Sequence, residues 1–191
     1  MNNIKIGVQG AKGSFSEEAA LIFSKNHGID SAEIIYLISS DSVLENLELQ
    51  TIEYGVFAME NAQGGVVVES IEALAKYQCK IIEMFHIPIS QNLLARKDVH
   101  IGDIKEIHSH QQALRQCKDY LSENFWTRPL VEADDTAESA RRLSDGELPQ
   151  TVGVIGSKAC AKLYGLSILE EDIHDLKNNI TLFLGVKKYD K

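Results

Sequence analysis

Residues 79–94, CKIIEMFHIPISQNLL, decide the architecture. The run is largely apolar and carries Pro88 inside it. A proline there removes a backbone N–H and clashes with the preceding turn of any helix, so the segment reads as extended chain. Its length predicts a crossing from one lobe to another. Outward from it, strands and helices alternate on both sides. On the N-terminal side the pattern is strand 3–9 (NIKIGVQ), a glycine turn from Gly10 to Ser16, and a helix over Phe15–Lys25. Strand Glu33–Leu37 follows, then a helix capped by Asp41 or Ser42 and ending near Leu49. Strand Tyr54–Met59 comes next, and after Gly64 and Gly65 a helix over Val66–Tyr77. On the C-terminal side come strand Glu106–Ser109, helix Gln112–Ser122, strand Leu130–Ala133, helix Ala137–Leu143, strand Thr151–Ile155 and helix Lys158–Tyr164. Thr181–Lys187 reads as a closing strand that returns the chain to the first lobe. Alternating strands and helices imply largely parallel sheets covered on both faces. The expected class is therefore α/β, with two α/β lobes around a cleft: residues 1–80 plus 170–191 form lobe 1, and 81–169 form lobe 2.

The chain has 191 residues and a formal net charge of −9, with 19 basic against 28 acidic side chains. Nucleic acid and anionic membrane both reward a basic surface, so neither is an expected partner. No apolar run reaches membrane-spanning length, and the first residues enter a strand pattern without the apolar core of a signal peptide. The expected location is the cytoplasm. Cys79, Cys117 and Cys160 are widely spaced and odd in number, with no CxxC pair. They read as reduced thiols packed as small hydrophobes, not as a disulfide framework or a zinc site.

Four small or polar clusters fall where a strand ends and a helix begins: 10–16 (GAKGSFS), 60–65 (ENAQGG), 109–112 (SHQQ) and Gly156-Ser157. In open α/β sheets, ligands bind outside the carboxyl ends of the strands. Helix N-termini present unpaired N–H groups and roughly half a positive charge each, which favours anions. Several such termini facing one cleft would hold a dicarboxylate despite the acidic chain. Each cluster also has an ordinary role as cap or turn. The glycine loop has neither GxxxxGK[ST] nor GxGxxG spacing, so nucleotide binding is not supported. His110 is a candidate general base near neutral pH and also a candidate helix cap, the commoner role for a histidine at a helix start. Asp134-Asp135 and Glu170-Glu171-Asp172 are contiguous, so their side chains diverge, and they read as caps or solvated loops rather than a metal site. Met59 and Trp126 read as packing residues.

At these clusters the chain resembles the prephenate dehydratase family. The family pattern GPxGTFS appears as GAKGSFS at 10–16, ENSxxGxV as ENAQGGVV at 60–67, and SHPQALxQC as SHQQALRQC at 109–117. A TAxxA run stands at 136–140. Ser157, Ala161 and Tyr164-Gly165-Leu166 match AxxSxxAAxxYGL, and NITLF at 179–183 matches NxTRF. The resemblance covers nearly the whole chain and corresponds to the family's catalytic part, without its C-terminal regulatory domain. It departs at Ser14 (Thr in the pattern), Ala62 (Ser), Gln111 (Pro) and Leu182 (Arg).

The resemblance implies a fold of two α/β lobes like those of type II periplasmic binding proteins, with the active site between them. The implied activity is a carbon–oxygen lyase: decarboxylating dehydration of prephenate to phenylpyruvate in L-phenylalanine biosynthesis. It requires no metal and no organic cofactor. Thr181 would donate to the departing hydroxyl and Glu60 would orient the site. Asn61, Ser14, Ser109, His110, Gln112, Ser157 and Asn179 would bind the dianionic substrate, and Phe183 would wall the pocket. A homodimer is implied as well. The alternatives are arogenate dehydration, a decarboxylation that leaves the ring non-aromatic, toward which Ala62 and Leu182 would tilt the site, and a non-catalytic relative that binds a small anion.

Overall fold

The crossing segment is two strands, not one connector. The structure, a computed structural model, describes residues 3–133 and 135–189. Cys79–Pro88 (β5) pairs along its length with a late strand, Ile180–Lys188 (β11), and Asn92–Ala95 (β6) belongs to a second sheet. The chain divides into unit 1, residues 1–88 with 180–191, and unit 2, residues 89–179. These boundaries differ from the expected 80/81 and 169/170. All of β5 is held by β11, and an unexpected strand, Ser167–Glu170 (β10), pairs with β6 in unit 2. Pro88 ends an edge strand, where a missing N–H breaks no ladder interior.

Unit 1 adds β1 (Ile4–Val8), α1 (Phe15–Asn26), β2 (Ala32–Tyr36), α2 (Ser40–Glu48), β3 (Tyr54–Asn61), the short β4 (Gly65–Val66) and α3 (Val68–Lys76). Its sheet runs β2-β1-β3-β11-β5, with β4 beside β3. The first three strands are parallel, and β11 is antiparallel to both of its neighbours. Ser39, not Asp41 or Ser42, caps α2: its side chain accepts from the Ser42 amide at 3.0 Å. α3 starts two residues later than its apolar pattern suggests, because Gly65 and Val66 pair with β3.

Unit 2 contains β6, a 3₁₀ turn (Ile101–Asp103), β7 (Glu106–His110), α4 (Gln111–Gln116), α5 (Lys118–Asn124), β8 (Leu130–Ala133), α6 (Thr136–Ser144), β9 (Val152–Gly156), α7 (Lys158–Tyr164) and β10. The helix expected over 112–122 is broken at Cys117, whose φ of −114° lies outside the helical region. The sheet order is β10-β6-β9-β7-β8. The expectation of largely parallel sheets is therefore corrected to mixed ones. In each unit, three parallel strands are followed by one inserted antiparallel strand, β11 or β6, and the outer strand is the one from which the chain departs. This shared order is that of the type II periplasmic-binding fold.

Burial explains which faces the helices cover. In unit 1, Val43, Leu44 and Leu47 of α2 and Ala73 of α3 pack against Phe57, Leu184 and Val186 of the sheet. On the opposite face Phe23 of α1 stacks on Phe85, which stacks on Phe183 with centroids 6.1 Å apart. Gly185 permits that approach, since a Cβ there would enter the Phe23 ring. In unit 2 the core gathers Leu93, Ile104, Ile107, Leu121, Phe125 and Ile155. Among the described residues, no helix is long and apolar enough to cross a membrane.

Candidate active site

In unit 1 the chemistry collects where β3 ends and β11 begins. β3 meets β11 with Asn61 opposite Thr181 and Glu60 opposite Leu182. Partners across a ladder share a face, and successive residues alternate faces. Thr181 and Phe183 lie on the α1 face, while Leu182 and Leu184 lie on the face covered by α2 and α3. Thr181 is buried, 6% exposed. Its Oγ1 accepts a hydrogen bond of 2.9 Å from the Asn61 amide nitrogen. The orientation of that amide follows from its other end: Asn61 Oδ1 accepts the backbone N–H groups of Gln63 at 3.1 Å and Gly64 at 2.7 Å, an Asx turn. The Ala62 amide donates to the Ile180 carbonyl at 2.8 Å, so position 62 contributes through its backbone. Because Thr181 Oγ1 accepts from Asn61, its own proton is directed elsewhere.

Glu60 is exposed and projects from the other face of β3, so the structure does not bring it together with Thr181 and Asn61. Leu182 is likewise on the face away from the threonine. Phe183 is 2% exposed and forms part of the aromatic stack, so it is a core residue and not an open wall. Ser14 caps α1, its Oγ accepting from the Glu17 amide at 3.3 Å. The glycine loop is held by Glu17, whose carboxylate accepts the Gly13 N–H at 2.6 Å and the Tyr36 hydroxyl. Gly10 has φ +150°, and a Cβ there would meet Ser14 Oγ at 2.6 Å, so only glycine turns the chain into this cap.

In unit 2, Ser109 and Ser157 stand at the carboxyl ends of β7 and β9. Ser109 is fully buried and donates to the Ile155 carbonyl at 3.2 Å. Ser157 caps α7, accepting from the Cys160 amide at 2.9 Å. His110 is exposed and serves as the N-cap of α4: its Nδ1 accepts the Gln112 amide at 3.2 Å. The cap role holds, and a base using Nδ1 would have to give up that bond. Asn179 is buried, and its carbonyl accepts the Ile89 amide at 2.8 Å. Asp135 caps α6, accepting from the Glu138 amide at 2.9 Å, while Asp134 lies outside the described residues. Glu171 pairs with Lys158, and Asp172 accepts from Ser90. None of the three cysteines is in a disulfide, and burial pushes the Cys79 and Cys117 thiols up. Among the described residues no group of three or more His, Cys, Asp or Glu side chains could hold a metal ion.

Three polar residues were not singled out from sequence. Gln9 Oε1 accepts the Ala58 amide at 3.1 Å, and Ser70 Oγ donates to the Ala58 carbonyl at 2.6 Å. Glu69 accepts from the Ser40 amide at 2.9 Å and from Gln9 Nε2 at 3.4 Å. The signal for two of them is a Glu-Ser pair, Glu69-Ser70, in the first turn of a mostly apolar helix.

Two α/β units of this strand order, with amide and hydroxyl side chains at the carboxyl ends of their parallel strands, define the class: a type II periplasmic-binding fold. Within that class, residues 6–191 match the family model described as prephenate dehydratase, and the chain belongs to the prephenate dehydratase family. It is 31% identical over 183 residues to arogenate dehydratase 2 of Petunia hybrida, covering 96% of this chain and 44% of that protein. It is also 31% identical over 187 residues to the bifunctional chorismate mutase/prephenate dehydratase of Aquifex aeolicus, covering 98% and 49%. The crystal structure of prephenate dehydratase from Arthrobacter aurescens, in complex with L-Phe, superposes with a TM-score of 0.88 at 27% identity, over 98% of this chain and 61% of that one. The chain thus spans under half the length of these two curated relatives.

Proposed function

We propose that the chain catalyses the decarboxylating dehydration of prephenate to phenylpyruvate, with Thr181 as the donor to the leaving hydroxyl. The observation that carries this reading is the 2.9 Å hydrogen bond from Asn61 Nδ2 to Thr181 Oγ1. In the reaction the bond from the ring to its carboxylate breaks and carbon dioxide departs. That electron pair moves into the ring and expels the hydroxyl from the opposite carbon, and the ring becomes aromatic. The developing hydroxide takes up a proton and leaves as water. Aromatisation drives the chemistry, so the protein's task is to orient a dianion and stabilise the oxygen that departs.

A neutral threonine suits that task only if its proton is available. Asn61 occupies an Oγ1 lone pair, and two backbone N–H groups fix the far end of the Asn61 amide. The Thr181 O–H is thereby pre-aimed, so less reorganisation is needed as charge develops on the leaving oxygen. Ser14, Ser109, His110, Gln112, Ser157 and Asn179 are the proposed substrate-binding residues. The enzyme works in the cytoplasm, a compartment that keeps three cysteines as thiols, and as a homodimer.

A second substrate is favoured by one finding: the Petunia relative is named an arogenate dehydratase. Arogenate differs in carrying an amino group where prephenate has a keto group, and the leaving-group chemistry at Thr181 is the same. The test is to incubate the protein with each compound and identify products, reading phenylpyruvate by its absorbance in alkali and phenylalanine by chromatography. Thr181→Val is expected to lower kcat by ~10²–10⁴-fold, the usual contribution of a positioned proton donor, with ligand affinity retained. Thr181→Ser should retain most turnover. No product from either compound with the unaltered protein overturns the proposal.

A further inference from the structure

The pairing of β3 with β11 contains a one-residue irregularity. Leu182 stands opposite Glu60, yet Phe183 stands opposite Ala58, so Met59 is the extra residue of a β-bulge. The consequence is large because side chains alternate with a period of two. From Ala58, which faces the Phe183 side, an unbulged strand would carry Glu60 onto the Thr181 face and Asn61 onto the other. The bulge exchanges them. Asn61 then meets Thr181, and Glu60 is turned to the side of Leu182.

That exchange sets the direction of the threonine's hydrogen bond. A carboxylate only accepts, so Glu60 in that place would draw the Thr181 proton toward itself and set a negative charge beside a departing anion. Asn61 donates instead and leaves the hydroxyl proton for another oxygen.

The bulge is held from outside the ladder. The main chain of β1 last pairs with β3 at Val56, where the Gln9 amide donates to the Val56 carbonyl at 3.3 Å. Beyond that point the side chain of Gln9 takes over, its Oε1 accepting the Ala58 amide at 3.1 Å. Glu69, itself bound to the Ser40 amide, accepts from Gln9 Nε2 and fixes which way that amide faces. From α3, Ser70, which is fully buried, donates to the Ala58 carbonyl at 2.6 Å, and the Val67 amide donates to the Met59 carbonyl at 2.8 Å. Both backbone polar groups of Ala58, the residue before the bulge, are thus satisfied by side chains.

We infer that Gln9 and Ser70 are positioning residues whose bonds to Ala58 hold the β3 bulge and so select Asn61, not Glu60, as the partner of Thr181. This rests on the proposed role of Thr181 for its kinetic readout and on geometry alone for its structural one.

The test combines Ser70→Ala and Gln9→Met, each alone and in an Asn61→Ala background, with amide hydrogen exchange at Ala58 and Ala62. Each single variant is expected to lower kcat about tenfold, the usual scale for one hydrogen bond, with KM unchanged. In the Asn61→Ala background neither should lower kcat further, because no donor remains to be positioned. Exchange at Ala62, whose N–H is bonded to the Ile180 carbonyl, should speed up in both single variants, while exchange in unit 2 stays as it was. Unchanged kcat, or the same fold-loss with and without Asn61, overturns the inference. If the unaltered protein turns over neither prephenate nor arogenate, the proposed function fails, and Ala62 exchange still decides this inference: unaltered exchange in both variants overturns it. Should Ser70→Ala fail to fold, Gln9→Met carries the same comparison.

Discussion

At the residue scale, Leu182 is informative because of the face it occupies. The family pattern has an arginine beside the threonine, and an arginine is a natural fork for a carboxylate. β11 alternates regularly from Ile180 to Gly185 against β5, so position 182 points away from Thr181 and lies in one cross-strand row with Glu60 and His86. Leucine here removes no ligand from the threonine's own face. Leu182→Arg should therefore leave kcat unchanged. It should also raise stability by about 0.2–1 kcal/mol through a cross-strand pair with Glu60, read by thermal denaturation. A large gain in turnover would show that the arginine acts on the Thr181 side after all.

At the scale of elements, the turn between β2 and α2 stores strain. Ile38 has φ +66°, a conformation that β-branched residues rarely adopt, and the Ser39 amide closes back on the Leu37 carbonyl at 2.7 Å around it. The side chain is 65% exposed, so packing does not compensate. The turn delivers Ser39 to its cap on α2. Ile38→Gly should keep the cap and stabilise the protein by roughly 1 kcal/mol, measured by denaturant unfolding.

The loop after β10 shows an electrostatic counterpart. The Ser90 hydroxyl, aided by Lys158, His174 and Lys177, holds the Asp172 carboxyl below its ordinary value of 3.8. A lowered carboxyl contributes stability above its unfolded value, and that contribution is lost as pH falls through the folded one. Ser90→Ala should thus be less stable than the parent at pH 7. The difference should close in acid, once Asp172 is protonated in both proteins. A deficit that persists unchanged in strong acid would assign it to packing.

At the scale of the whole molecule, the two units differ in how the chain builds them. Unit 2 is one continuous segment with its own core, whereas unit 1 needs β11 between β3 and β5. Residues 89–179 produced alone should fold cooperatively, seen by circular dichroism. A chain ending at Asn179 should retain exchange protection in unit 2 and lose it in β3 and β5. Protection of β5 without β11 would contradict the sheet order.

The sequence by itself determined what is local. Glycine loops, the caps at Ser14, His110 and Ser157, and most of the alternation of strand and helix on either side of residues 79–94 follow from backbone geometry and from periodicity over a few residues. These stand in the fold, whereas the cap of α2 falls at Ser39 and the helix expected over 112–122 breaks at Cys117. The motifs likewise pointed to Asn61 and Thr181, which the fold brings to 2.9 Å. Tertiary structure alone decided which face each side chain takes. The insertion of β11 as an antiparallel strand, the strand character of Ser167–Glu170 and the separation of Glu60 from Thr181 all depend on register between distant segments. The bulge at Met59 is held through Ala58 by Gln9, 49 residues from Ala58, and by Ser70, 12 residues from it, so the bonds that set it lie outside the motif at Glu60-Asn61. Pairing partners in a sheet are chosen by the assembled core, and a shift of one residue turns every following side chain to the opposite face.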